Sequence, residues 1–155
     1  MNIPEYLKEN KTLTYSNVGV SMLPLLRQGR DTFTVTEKEE YFKVTGERRF
    51  KAGDVVLYLR PPKSYVLHRI IEVRKDDYVI LGDHCISKEY GIKDEDIMGI
   101  MTAFSRDGKN HTVKEASYLR YTKRTLRFYP VRVFFQKLLG RGKRAVRKVI
   151  KPHGR

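Results

Sequence analysis

Val55-Val56-Leu57-Tyr58-Leu59, then Arg60-Pro61-Pro62-Lys63-Ser64, then Tyr65-Val66-Leu67-His68-Arg69-Ile70-Ile71-Glu72-Val73 is the stretch that decides the fold class. Two apolar runs rich in β-branched and aromatic residues flank a Pro-Pro break, the pattern of two strands joined by a turn. The first run is continuous and follows the turn signal Lys51-Ala52-Gly53-Asp54, so it reads as a strand buried on both faces. Outward from this pair the texture repeats. Asp31-Thr32-Phe33-Thr34-Val35-Thr36 alternates with period 2, and Lys75-Asp76-Asp77 turns into Tyr78-Val79-Ile80-Leu81. Asp96 to Phe104 forms a last long strand, which Asp107-Gly108 closes against a short partner. Glu37 to Glu40 reads as a solvated turn, Tyr41 to Val44 as a weaker strand, and the segment around Gly91 as a loop. Residues 3–10 fit a short helix with Pro4 in its first turn. Six or so strands, with almost no helical periodicity before residue 114, predict a mainly β fold: a small, curled, mostly antiparallel sheet over residues 1–113.

From Lys114 the pattern changes. Glu115 to Tyr129 and Val131 to Ile150 have helix-forming composition, with interruptions expected at Pro130 and at Gly140-Arg141-Gly142. Val131, Phe134, Phe135, Leu138 and Leu139 recur at i, i+3, i+4, i+7 and i+8, which gives an amphipathic helix an apolar stripe. Ala145, Val146, Val149 and Ile150 continue it amid Arg144, Arg147, Lys148 and Lys151. The net charge of +14 belongs to this third of the chain: acidic and basic residues balance over 1–105, and only Asp107 and Glu115 are acidic thereafter. Residues 114–155 therefore read as a basic amphipathic helical tail beside a separate β module. Such helices lie in membrane interfaces, so an anionic membrane surface is an expected partner of residues 119–151. Packing of the stripe on the β module is the competing reading. Nucleic acid ranks below both, because no base-reading module accompanies the charge.

The 155 residues are 40% hydrophobic, enough for one core. No apolar run approaches the ~20 residues of a spanning helix. The short, polar Met1 to Asn10 is not a secretory signal. The single Cys85 excludes an internal disulfide, and with four histidines no zinc site or other cofactor is expected. The expected location is the cytosol, with the basic helix a candidate for lying on the inner membrane face.

One stretch carries candidate chemistry. In Val18-Gly19-Val20-Ser21-Met22-Leu23-Pro24-Leu25-Leu26 a hydroxyl sits between a flexible glycine and a Met-Leu-Pro turn. Serine is a weak nucleophile unless a base lies beside it. His68 is the one histidine inside an apolar strand, and a neutral imidazole of pKa ~6.5 accepts a proton near neutrality. A core histidine satisfied by a carbonyl is the plain alternative. Lys51 and Lys63 occupy solvated loop positions, which weakens a Ser-Lys dyad. Asp54 and Asp83 each follow a glycine in a turn, where a carboxylate commonly binds backbone N–H groups. Cys85 reads as a small buried filler.

Gly19-Val20-Ser21-Met22-Leu23-Pro24, Gly53-Asp54-Val55-Val56, His68-Arg69-Ile70-Ile71 and Gly82-Asp83 occur in an order that resembles the signal-peptidase/LexA-like serine peptidases, over roughly residues 14–104. Bacterial type I signal peptidases and LexA-type repressors place a lysine base on the strand that here carries His68-Arg69. The chain looks like the Ser-His branch, that of the endoplasmic-reticulum-type signal peptidases. The resemblance implies that Ser21 is the nucleophile and His68 the general base. It further implies that the Ser21 N–H and a neighbouring donor hold the oxyanion, with Ser16 a candidate. In that branch an aspartate some six residues after the Gly-Asp block orients the histidine. Glu89 stands at that position here, and Asp83 is the alternative. The spanning helix that precedes the serine in signal peptidases has no counterpart in residues 1–20, nor has the helix-turn-helix domain of the repressors. The expected substrate is a leader or signal-type peptide. A chain that keeps this fold with an idle site, and binds membrane or nucleic acid through its tail, is the alternative.

Overall fold

The computed structural model describes residues 2–150, with side chains through residue 144. His153 and the apolar positions expected to extend the tail stripe from Ala145 to Ile150, with the cations among them, lie outside the described side chains. Helix α1 (Ile3–Asn10) leads into β1 (Thr12–Ser16), and a long loop reaches β2 (Thr32–Glu37). Helix α2 (Lys38–Thr45) precedes the pair β3 (Val55–Arg60) and β4 (Ser64–Val73). Then follow β5 (Tyr78–Leu81), β6 (Glu89–Ile92), β7 (Ile97–Arg106), β8 (Lys109–Thr112) and α3 (Ala116–Ile150). The strands form one antiparallel sheet in the order β1-β2-β7-β3-β4-β5-β6, with β8 paired to β7.

The strand pair that decided the fold class lies at its centre. Val55 pairs with Arg69 and Val56 with His68, while the other edge of β3 takes β7. Neighbours on both sides explain why β3 reads as a continuous apolar run. Its alternate residues feed two cores. Val55 and Leu57 join Leu7, Met22, Leu26, Phe33 and Tyr118 on one face. Val56 and Tyr58 join Phe50, Ile70, Tyr78 and Ile80 on the other. Gly99 of β7 marks the tightest crossing: a Cβ there would stand 2.4 Å from the Thr36 carbonyl oxygen and 2.6 Å from a Val35 methyl.

Several expectations are corrected. The architecture is mixed α/β, not mainly β, and the eight-stranded sheet is open, neither closed nor curled, because its terminal strands β1 and β6 do not pair. In the expected solvated turn and weak strand, Glu37 instead ends β2 and residues 38–44 are helical, in α2. Its first turn is capped by the Glu37 carboxylate, which accepts the Glu40 N–H at 2.9 Å, and Gly46 ends it at φ 74°. Helical winding lays Tyr41 and Phe42 against Phe50, with ring centroids at 6.4 and 4.8 Å. The loop around Gly91 is strand β6, whose Tyr78–Ile92 and Ile80–Glu89 pairings extend the sheet. Helix α3 runs through Pro130 and both glycines. Contacts on either side of Pro130, from Tyr121 to Asp83 and from Arg132 to the Cys85 carbonyl, help offset the ~3 kcal/mol penalty of an internal proline.

Gly99→Ala should destabilise the fold by about 1–3 kcal/mol, since backbone rather than a flexible side chain blocks the new methyl. Urea unfolding with an unchanged midpoint would contradict the tight β2–β7 crossing.

Candidate active site

The loop from Asn17 to Asp31 is fastened at both ends. Asn17 is buried, and its amide donates to the Gly19 and Leu26 carbonyls while its backbone pairs with Asp31 and Gly29. Asp31 is fully buried and accepts two side-chain bonds from Arg27 at 2.9 Å, plus the Arg27 N–H at 2.8 Å. The guanidinium bonds hold the Asp31 carboxyl below its ordinary range against the opposing effect of burial. Met22, Leu25 and Leu26 then plug into the core. Ser21 is left partly exposed at the near end of this plug, so its surroundings are set by packing on one side and by a single backbone bond on the other. That bond runs from the His84 N–H to the Ser21 carbonyl, at 2.8 Å.

His68 is 4% exposed and reaches the same place from the sheet. Its Nδ1 lies 3.2 Å from Glu89 Oε1 and 3.4 Å from the Tyr58 hydroxyl. A carboxylate only accepts hydrogen bonds, so the neutral ring carries its proton on Nδ1 and its lone pair on Nε2. Nε2 faces Gly82. A Cβ on Gly82 would stand 2.9 Å from Nε2, 2.8 Å from the Ser21 carbonyl oxygen and 2.7 Å from Cys85 Sγ. The histidine and the serine main chain meet over the one residue that has no side chain to separate them. Ser21 and His68 line one cavity of 360 Å³, with Leu57, Tyr15 and Phe33 on its apolar wall and Arg60 and Ser16 among its polar lining. Among the described residues, no hydrogen bond joins the Ser21 hydroxyl to the His68 ring.

The electrostatics favour a neutral imidazole. Burial pushes the His68 pKa below its ordinary value, and the nearby Glu89 charge opposes this only in part. Burial alone would raise Glu89, but the bonds from Arg60 and Tyr58 together with the Arg60 charge outweigh it and hold the carboxyl low. Arg60 donates through Nε to Oε2 at 2.8 Å and through a second nitrogen to Oε1. Glu89 is therefore an ionised acceptor, fixed in orientation by a bidentate partner.

The two carboxylates left open by the sequence are separated here. Glu89 touches the imidazole. Asp83 instead receives both Arg69 nitrogens at 2.7 Å and the Tyr121 hydroxyl at 2.8 Å. Arg69, fully buried, also donates to the Gly53 carbonyl at 2.7 Å and to Thr122 at 3.2 Å. Of the other candidate bases, Lys51 is exposed and paired with Glu47, and Lys63 is exposed. Asp54 accepts the Lys51 N–H at 2.8 Å, the turn role expected of it. Cys85 lines the cavity, and burial pushes its thiol up, away from reactivity.

Sequence reasoning missed Tyr58, Arg60 and the contribution of α3. Arg60 ends an apolar strand next to two prolines, where it looks like a solvated cap. Its meaning depends on β6, whose sequence reads as a loop and which carries Glu89 across from Ile80. No protein family, curated protein or solved structure matches this chain.

Arg69→Met should cost about 3–5 kcal/mol, because it leaves the Asp83 carboxylate buried beside an apolar side chain. Restoring Arg69→Met with Asp83→Leu should recover a large part of that loss. Urea titrations of the two variants check both statements, and equal stability of Arg69→Met and the parent would exclude a buried ion pair.

Proposed function

We propose that this chain is a serine endopeptidase in which Ser21 is the nucleophile, His68 the general base and Glu89 the residue that orients it. The observation that carries the reading is the polarity of the His68 ring: Nδ1 is committed to Glu89, Nε2 lies over Gly82 next to the Ser21 main chain, and His68 and Ser21 line one cavity. In this reaction Ser21 Oγ attacks the scissile carbonyl and its proton passes to Nε2. Glu89 stabilises the imidazolium that results, and the same proton then leaves with the amine. Water, deprotonated by Nε2, releases the acyl group. The Ser21 N–H donates to no group among the described residues and is free to meet the oxyanion, with the Ser16 hydroxyl a second candidate on the cavity wall.

The resemblance to the signal-peptidase/LexA-like peptidases supports the same roles, and glutamate in place of the usual aspartate is accommodated by Arg60, which fixes its longer side chain. The substrate is proposed to be a leader or signal-type peptide. The apolar cavity suits a modest side chain next to the cleaved bond. The edge strand β1, paired on one side only, offers main-chain groups alongside. A catalytically idle chain that binds through its tail is the second reading, and the absent Ser21–His68 bond favours it. Free serine hydrolases commonly tighten that bond only with substrate, and on this ground the enzyme reading is preferred.

Profiling against a peptide library should show cleavage by the parent and none by Ser21→Ala, with thermal transitions nearly equal. Cleavage by Ser21→Ala at the parental rate would exclude the assignment. Glu89→Gln should lower kcat by about 100-fold or more while leaving KM within a few-fold. The pH profile has a defined sign. His68 is a base whose folded pKa is depressed, so kcat/KM should hold as pH falls past ~6.5 and drop only below it. Folding stability contributed by the neutral ring is full above ~6.5 and is lost as pH falls through the lower folded value. An acid limb above ~6.5 would rule out His68 as the titrating base.

A further inference from the structure

Helix α3 has two apolar faces, and the body of the protein uses only one. Tyr118, Tyr121, Leu126 and Val133 point inward: Tyr118 and Val133 are buried, and Tyr121 bonds to Asp83. At about 100° per residue these positions cluster on one side of the helix. Phe128, Val131, Phe134, Phe135, Leu138 and Leu139 fall on an adjoining arc of about 140°, centred about 140° round the helix from the inward face. All six are more than half exposed, from 51% at Val131 to 65% at Leu139. The stripe read from the sequence is thus not the one packed on the sheet, which removes the competing explanation for its hydrophobicity.

We propose that this outer face of α3 is a membrane-binding surface that lies in the headgroup region of an anionic bilayer. Charge selects the partner. Lys137 and Arg141 lie along one margin of the apolar arc and Lys143 beyond the other, Arg127 precedes it along the helix, and no acidic residue follows Glu115. A second copy of the chain would bring cation against cation. A nucleic acid would need the cations at the centre and the aromatic residues stacked between bases, whereas here phenylalanine and leucine occupy the centre and the charges flank it. Apolar centre and cationic margins match the acyl boundary and the phosphates of a lipid surface. No described helix is long and apolar enough to cross a membrane, so the helix lies along the surface. The inference stands apart from the peptidase reading, since none of these residues touches Ser21, His68 or Glu89.

Co-sedimentation of the full chain with vesicles of phosphatidylglycerol and phosphatidylcholine tests it, against vesicles of phosphatidylcholine alone. Expected is binding to the anionic vesicles that weakens as salt is raised, with little binding to the neutral ones. Phe134→Ser with Leu138→Ser should reduce that binding about tenfold or more, and Lys137→Glu with Arg141→Glu should do so independently. Both pairs are exposed, so the thermal transition should not move. Equal binding to neutral vesicles, or binding unaffected by either pair, overturns the proposal. So does a parental dimer that the Phe134→Ser, Leu138→Ser pair dissolves in the absence of lipid, because the face would then be covered by a second copy.

Discussion

The buried Arg69–Asp83 pair is the interaction on which the arrangement of this protein depends. A guanidinium with no access to water must have each donor satisfied, and Arg69 draws its acceptors from the Gly53 turn, the Gly82-Asp83 turn and helix α3. Those contacts lock β4 to the segments on either side of it. His68 is the next residue on that strand, and His84, one residue past Asp83, holds the Ser21 carbonyl. Positions of the imidazole and of the Ser21 main chain are therefore both referred to one buried ion pair. Tyr121 adds a hydroxyl to Asp83, so α3 belongs to this support as much as the strands do.

Around this support the site divides into a rigid half and an adaptable half. Glu89 is clamped by Arg60, and the imidazole sits between Glu89, Tyr58 and Gly82 with little room to turn. The serine side is held by its backbone, through Asn17, Asp31 and the His84 N–H, while the hydroxyl itself keeps its rotamers. In the proposed reaction a substrate carbonyl would meet an imidazole already fixed in orientation and a serine whose main chain is held. Preorganisation of the ring, the more polar and more buried partner, is where a fixed environment contributes most.

The legibility of the chain follows the range of the interactions involved. Strands β2, β3, β4, β5 and β7 could be read because alternation and β-branched runs are local signals, and α1 because Pro4 opens it. Helix α2 could not, since Tyr41 and Phe42 favour either state and the decision is made by Phe50, several residues away in the chain. Strand β6 was obscured by Gly91 and by its polar, partly exposed residues, yet it is the strand that carries Glu89. The openness of the sheet depends on whether two terminal strands meet, which no window of sequence records. Ser21 and His68 stood out from sequence order. That Glu89 rather than Asp83 faces the imidazole rests on the pairing of β5 with β6 and on the prior claim of Arg69 on Asp83, both of them three-dimensional facts.

The ion-pair network also ties the central strands to a segment far along the chain. Arg69 emerges from the ribosome well before Thr122, the last of its partners, and a guanidinium sealed in a sheet without its acceptors is strongly disfavoured. A nascent chain that stops short of α3 has the strand bearing His68 but lacks Tyr118, Tyr121 and Thr122 to close over its neighbour. The polar shell around the Arg69–Asp83 pair is thus complete only when residues 118–122 of α3 are in place.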